Sequence, residues 1–148
     1  MADNAYTRFQ RGNYVVDNLE RAMQFYCGVM GFEVAFTKDS PDDSYSYTVF
    51  EIAHKPIRFA VLSLPGQPRV MALTEVPGDK EKVAMPRRAA IVLEVASVDA
   101  VVNAATAIGC HVYDESVLNT HDGRVGREVG LVDFDDNLIV IYHIPPAE

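Results

Sequence analysis

Polar and apolar positions along the chain follow two rhythms, and the same order of rhythms occurs twice. Gly12 to Val16 is a short β-prone run that ends at Asp17 and Asn18. Asp17 with Glu20 three positions later forms a capping-box pattern, which predicts a helix start. Leu19, Ala22, Met23, Tyr26 and Met30 then recur at helical spacing on one face, and Gly31 suits the left-handed stop. A strand is predicted over Phe32 to Thr37, followed by a polar loop with Pro41 over Lys38 to Ser44. Three more strands are predicted over Tyr45 to Ile52, Arg58 to Leu64 and Arg69 to Val76. Turns at His54-Lys55-Pro56 and Pro65-Gly66-Gln67-Pro68 separate them.

Pro77 to Pro86 is polar, flanked by prolines and without an apolar period, which marks a linker between a first module over 8–76 and a second over 87–145. The pattern then begins again. Arg88 to Val95 reads as a strand, Ser97 as a helix cap, Val98, Val101, Val102, Ala105 and Ile108 as the apolar stripe, and Gly109 as the stop. Strands follow over His111 to Glu115, Glu128 to Asp133 and Leu138 to His143, with Ser116 to Arg127 read as a long loop. Val16 maps on Val95, Asn18 on Ser97 and Ala22 on Val101, all at an offset of 79; after a one-residue slip Gly31 maps on Gly109. A repeat of this period predicts duplicated supersecondary units that pair to bury their faces. The expected fold class is therefore α+β, with two tandem βαβββ modules forming curled mixed sheets and a helix on the outer face of each.

Composition narrows the partners. Hydrophobic residues are 49% and charged residues 23% of the 148, an ordinary globular balance. No apolar run approaches the ~20 residues needed to span a bilayer, and the polar start lacks the apolar run of a secretory signal, so the cytoplasm is the expected location with no membrane partner. The formal charge of −8 argues against a nucleic-acid surface, which needs clustered Lys and Arg. Cys27 and Cys110, each in or just after a predicted helix among apolar neighbours, read as buried reduced thiols, and there is no cysteine–histidine spacing of a zinc site.

Particular residues point to a family. Tyr14-Val15-Val16-Asp17-Asn18-Leu19-Glu20-Arg21, then Phe25-Tyr26 and Val29-Met30-Gly31-Phe32, resembles the opening of vicinal oxygen chelate proteins, roughly V-x-D-L-x-R-S-x-x-F-Y-x-x-x-L-G-F. Gly126 to Val129 and Asp133-Phe134-Asp135-Asp136-Asn137-Leu138-Ile139 resemble the family's closing D-P-D-G-N-x-x-E-L hairpin. Glyoxalase I, bleomycin-resistance proteins, fosfomycin-resistance enzymes and extradiol dioxygenases belong to that superfamily. One fold there hosts many chemistries, so the resemblance is specific for fold and poor for function.

The resemblance implies a divalent metal held by four inward-facing side chains, commonly His, Gln or Glu. Those positions fall on Arg11, Ala72, Ala90 and Val140. A guanidinium has no lone pair to donate and the other three have no donor atoms, so no metal and no cofactor is expected. Of the four histidines, His54, His111, His121 and His143 read as surface or partly buried residues rather than ligands, with His54 and His121 still able to reach a pocket mouth.

The resemblance also places a cleft inside each curled sheet. Alternation from the four positions gives its lining: Arg11, Asn13 and Val15; Val70, Ala72 and Thr74; Arg88, Ala90, Val92 and Glu94; Leu138, Val140 and Tyr142. Apolar walls with sparse polar groups suit an organic ligand, and Arg11, Asn13, Thr74, Arg88, Glu94 and Tyr142 are the candidate binding residues. Arg11 either holds an anionic or carbonyl-bearing ligand or carries its charge into water, with Glu94 as the available acid partner. The first reading is a metal-free protein that sequesters a small organic molecule. The alternatives are a lyase, isomerase or dioxygenase-type enzyme acting on a small carbonyl or aromatic compound, and a metal enzyme whose ligands lie elsewhere. A homodimer is implied by the resemblance. Tyr45 to Ile52 exceeds the plain module and reads as a lid, an edge strand or part of a dimer contact.

Overall fold

The computed structural model of the chain describes residues 4–79 and 82–146. Eight strands and three helices follow one another as β1 (Gly12–Val16), α1 (Leu19–Tyr26), β2 (Glu33–Asp39), α2 (Ser46–Val49), β3 (Arg58–Leu64), β4 (Gln67–Glu75), β5 (Ile91–Glu94), α3 (Val98–Ala107), β6 (Ser116–Asn119), β7 (Val125–Val132) and β8 (Leu138–His143). They form two four-stranded mixed sheets, ordered β1-β4-β3-β2 and β5-β8-β7-β6. In each, the first strand pairs parallel with the last, and the other pairs are antiparallel. This is the duplicated βαβββ arrangement expected from the 79-residue offset.

The helices begin and end as backbone chemistry requires. Asn18 and Ser97 lie in extended conformation and accept from the backbone N–H groups of Arg21 and Ala100, which satisfies donors left orphaned in the first turn. The cap of α1 is thus Asn18 rather than the Asp17–Glu20 capping box. Asp17 accepts from the Gly78 N–H instead, and Glu20 is drawn away to Arg58. Gly31 and Gly109 end the two helical segments at φ of 82° and 83°, a conformation that a Cβ would strain.

Leu19, Ala22, Phe25 and Tyr26 of α1, Val98 and Ala105 of α3, and alternate residues of both sheets join in one core, including Leu62, Met71, Leu73, Leu131, Ile139 and Ile141. The duplication extends to an ion-pair pattern. Arg58, opposite Glu75 in β4, binds Glu20 on α1; Arg127, opposite His143 in β8, binds Asp99 on α3. Glu20 and Asp99 are again 79 positions apart.

Four expectations are corrected. Tyr45 to Ile52 is not a strand but contains the short helix α2, with local bonds such as Val49 N–H to Tyr45 O. The segment satisfies its backbone locally instead, with Phe50 N–H to Ser46 O and Thr48 N–H to Tyr45 O, and adds no strand to the open edge of β2. Ser116 to Arg127 is not a loop but a hairpin of β6 and β7 closed around Gly123. The fifth strand begins at Ile91 rather than Arg88, because β8 supplies partners only from its start. His111 to Glu115 is reduced to a single bridge, Val112 with Leu131, before the chain rejoins β7 one residue out of step.

Tyr26 is buried, and its hydroxyl donates to Asp133 Oδ2 at 2.7 Å. Burial, then the Asp133 charge, pushes its pKa well above the ordinary 10.0. With the folded-state pKa above the unfolded one, this contribution is present in full below pH 10 and lost as pH rises toward the folded value. Alkaline titration of stability should fall by about 1.4 kcal/mol per pH unit for each such proton. Tyr26→Phe should reduce that slope by one proton in urea unfolding followed against pH; an unchanged slope would refute the assignment.

Candidate functional site

Register places the family's ligand positions at equivalent points of the two sheets. Ala72 stands opposite Asn13 and Val61, as Val140 stands opposite Val92 and Gly130. Arg11 and Ala90 lie one residue before β1 and β5. This face of the second sheet is open: Val92 is 60% exposed, whereas Val61, Ala72 and Thr74 on the first are buried.

Where the starts of β1 and β5 approach each other, a cavity of about 500 Å³ opens, lined by Phe9, Gly12, Asn13, Tyr14, Phe32, Leu64, Gln67, Val70, Met71 and the run Ala89 to Leu93. Gly12 comes close to Ile91 here: a Cβ on it would make ordinary contact with Ile91 Cδ1 at 3.5 Å. The volume is in the range of small-molecule sites, and the described lining carries no charged side chain.

Asn13 is the polar group of this wall that the protein leaves half satisfied. Thr74 Oγ1 donates to its Oδ1 at 3.0 Å, while its Nδ2 is buried and has no partner. Turning the amide over exchanges the orphan but does not remove it, because Thr74 can serve only one of the two atoms. A buried amide left half satisfied costs about 1–3 kcal/mol.

The other candidates are distributed differently. Thr74 is buried against Asn13. Glu94 and Tyr142 stand opposite each other in register on β5 and β8. Partial burial and the Glu94 carboxylate hold the tyrosine proton above its usual pKa, so Tyr142 acts as a donor and not as a base at neutral pH. Arg11 is exposed, with no ion pair to Glu94 or to any other acid among the described residues: it precedes the start of β1, whereas Glu94 is the last residue of β5. Arg88 is exposed beside a small hollow of about 170 Å³ that Tyr14, Arg87 and Leu138 also line. The Tyr14 hydroxyl crosses to Leu138 O at 2.6 Å, tying β1 to β8.

The histidines lie apart. His54 stacks on Tyr47, His111 meets Tyr113 edge to face, His121 is exposed, and His143 Nδ1 lies 2.9 Å from Val95 O. Both cysteines are free thiols; burial, then Asp133, pushes Cys110 up to about 11. Arg87 and Asp136 were missed by sequence reading. They join at 2.6 Å, and Asp136 holds φ of 67° where the family motif has Gly. That departure from the motif was the available signal.

Paired βαβββ modules with one open sheet face define the class of protein. Within it, the chain belongs to the Glyoxalase/Bleomycin resistance protein/Dioxygenase superfamily, whose family model matches residues 8–141. Solved structures agree on the fold. A glyoxalase family protein from Bacillus cereus has a TM-score of 0.76 at 17% identity, covering 99% of both chains. The fosfomycin resistance protein of Listeria monocytogenes, in complex with Mn(II) and sulfate, has a TM-score of 0.60 at 15% identity, covering 97% of this chain and 93% of that one. An antibiotic binding protein from a Streptomyces species has a TM-score of 0.58 at 18% identity, covering 96% and 99%. No curated protein matches by sequence.

The family's usual divalent ion has no fitting donor set here. The four positions carry a guanidinium, two methyl groups and an isopropyl group. Among the described residues, no three His, Cys, Asp or Glu side chains converge on a point. Hard and borderline cations need oxygen or imidazole donors, and these positions supply none. No helix among the described residues is long and apolar enough to cross a membrane.

Proposed function

We propose that the chain binds a small, uncharged organic molecule in the cavity between the starts of β1 and β5, without a metal. The observation that carries this reading is the unpaired buried amide of Asn13 on an uncharged wall. A ligand oxygen or N–H would complete the hydrogen bonding that the protein leaves unfinished, and the apolar lining would supply affinity. The same fold is that of an antibiotic binding protein from a Streptomyces species, so it can carry binding of a small organic molecule. Thr74 holds the Asn13 amide in place. Arg11 and Arg88 adjoin the lining residues Gly12 and Ala89 in sequence and would orient an incoming molecule there.

A second copy of the chain would cover the open face. Phe9 at 86% and Val92 at 60% exposure leave large apolar groups of the cavity lining in water, and a homodimer removes that cost. Sedimentation should then report a dimer.

The test is a thermal-shift screen of small aromatic and carbonyl compounds, with hits repeated in EDTA and on Asn13→Ala. Bound ligand raises the melting temperature by mass action. The shift should survive EDTA, and Asn13→Ala should weaken binding about tenfold by removing one buried hydrogen bond. A stoichiometric divalent ion in protein purified without chelator, or a shift abolished by EDTA, would sink the metal-free reading.

A further inference from the structure

Beside the turn between β7 and β8 the chain forms a second cavity, of about 620 Å³. Lys82, Met85 and Arg87 line it from the segment before β5, and His111, Tyr113 and Phe134 line it from the second module. Its hydrogen-bonding capacity is lopsided. The two carboxylates on its wall are already engaged: Asp133 accepts from the Tyr26 hydroxyl, the Asn137 side chain and the backbone N–H groups of Asp135 and Asn137. Asp136 accepts from Arg87 Nη2 on one oxygen and from the Val83 N–H on the other.

The donors, in contrast, remain open. Lys82 has an electrostatic interaction with Asp136 but no hydrogen bond among the described residues. The Tyr113 hydroxyl receives Arg87 Nη2 at 3.3 Å, which leaves its own proton free. The rings of His111 and Tyr113 meet edge to face at 4.7 Å, and Met85 is 66% exposed, so flat apolar surface lies beside the open donors. The cavity at the starts of β1 and β5 has no charged lining, so the two sites would select different molecules.

We propose that this second cavity is a separate binding site for a flat aromatic carboxylate. The ring would rest against Met85 and the His111–Tyr113 pair, and the carboxylate would accept from Lys82 and the Tyr113 hydroxyl. Such charge-assisted bonds are about twice as strong as neutral ones, and thioether and aromatic surfaces both favour a π-system.

Isotope-labelled full-length protein titrated with naphthoate, and separately with the uncharged naphthalenemethanol, tests this by amide chemical shifts. Naphthoate should produce saturable shifts at His111, Tyr113 and Phe134. Lys82→Ala and Tyr113→Phe, both at exposed residues, should each weaken it about tenfold, while Asn13→Ala leaves it unchanged. Equal affinity for the alcohol, shifts centred on Asn13, Ala90 and Val92, or no saturable shift at millimolar probe would each overturn the proposal. Ligand binding at Asn13 is decided separately, by the EDTA and Asn13→Ala comparisons.

Discussion

Asp133→Ala should lower the free energy of unfolding by about 3–5 kcal/mol, the largest single loss expected in this protein. Asp133 is 4% exposed, and its two oxygens accept four hydrogen bonds. Two come from backbone N–H groups of its own turn, one from Asn137, and one from Tyr26 in the first module. The Asn137 amide also donates to Val15 O, so the same carboxylate that shapes the closing turn fastens one module to the other. Alanine would leave these buried donors without acceptors, and each such group costs about 1–3 kcal/mol. Tyr26→Phe removes only one donor and should cost about 1 kcal/mol. Urea unfolding of both variants gives the comparison. If the two losses are equal, the turn does not depend on the carboxylate.

Glu75→Ala should cost about 2–4 kcal/mol. The Glu75 carboxylate is buried to 6% exposure, accepts the Leu19 N–H at 2.7 Å at the start of α1, and takes Arg58 Nε at 2.7 Å. Anions at a helix N-terminus are favoured by the helix dipole as well as by the bond itself. Glu20 binds the same arginine at 2.6 Å, yet its side chain is 69% exposed. Solvent screening reduces such a pair to at most about 1 kcal/mol, so Glu20→Ala should lie within that limit. The two variants therefore separate burial from mere proximity on one arginine. A Glu20→Ala loss as large as that of Glu75→Ala would show that burial is not what gives Glu75 its weight.

The duplication was legible because it repeats local chemistry. A polar cap, an apolar stripe and a glycine stop occur in both halves, and each reads from a window of about a dozen residues. The Asn18–Ser97 match even pointed to the true cap of α1, against the capping-box reading of Asp17. The β6–β7 hairpin was also within reach, since Asp122-Gly123 between Val117-Leu118 and Val125 is a strong hairpin signal. Tyr45 to Ile52 was not. Its residues suit a strand, yet it closes its backbone bonds locally as α2.

Of the candidate site, alternation found Asn13 and Thr74 on one face, and Glu94 and Tyr142 on another, but could not say which neighbours would bond. The Thr74–Asn13 contact and the Tyr142–Glu94 pairing are settled by strand register across 61 and 48 positions. The Arg87–Asp136 tie and the cavity beside it arise where the segment before β5 meets a turn 49 residues away, beyond the reach of any periodic pattern. What the sequence by itself determined is the repeated frame and the residue types at its four metal positions, because both follow from short-range order and side-chain chemistry. Which polar groups are buried, which are left unpaired and where cavities open was decided only by the tertiary structure. Those properties depend on the packing of segments far apart in the chain, and no local rhythm encodes it.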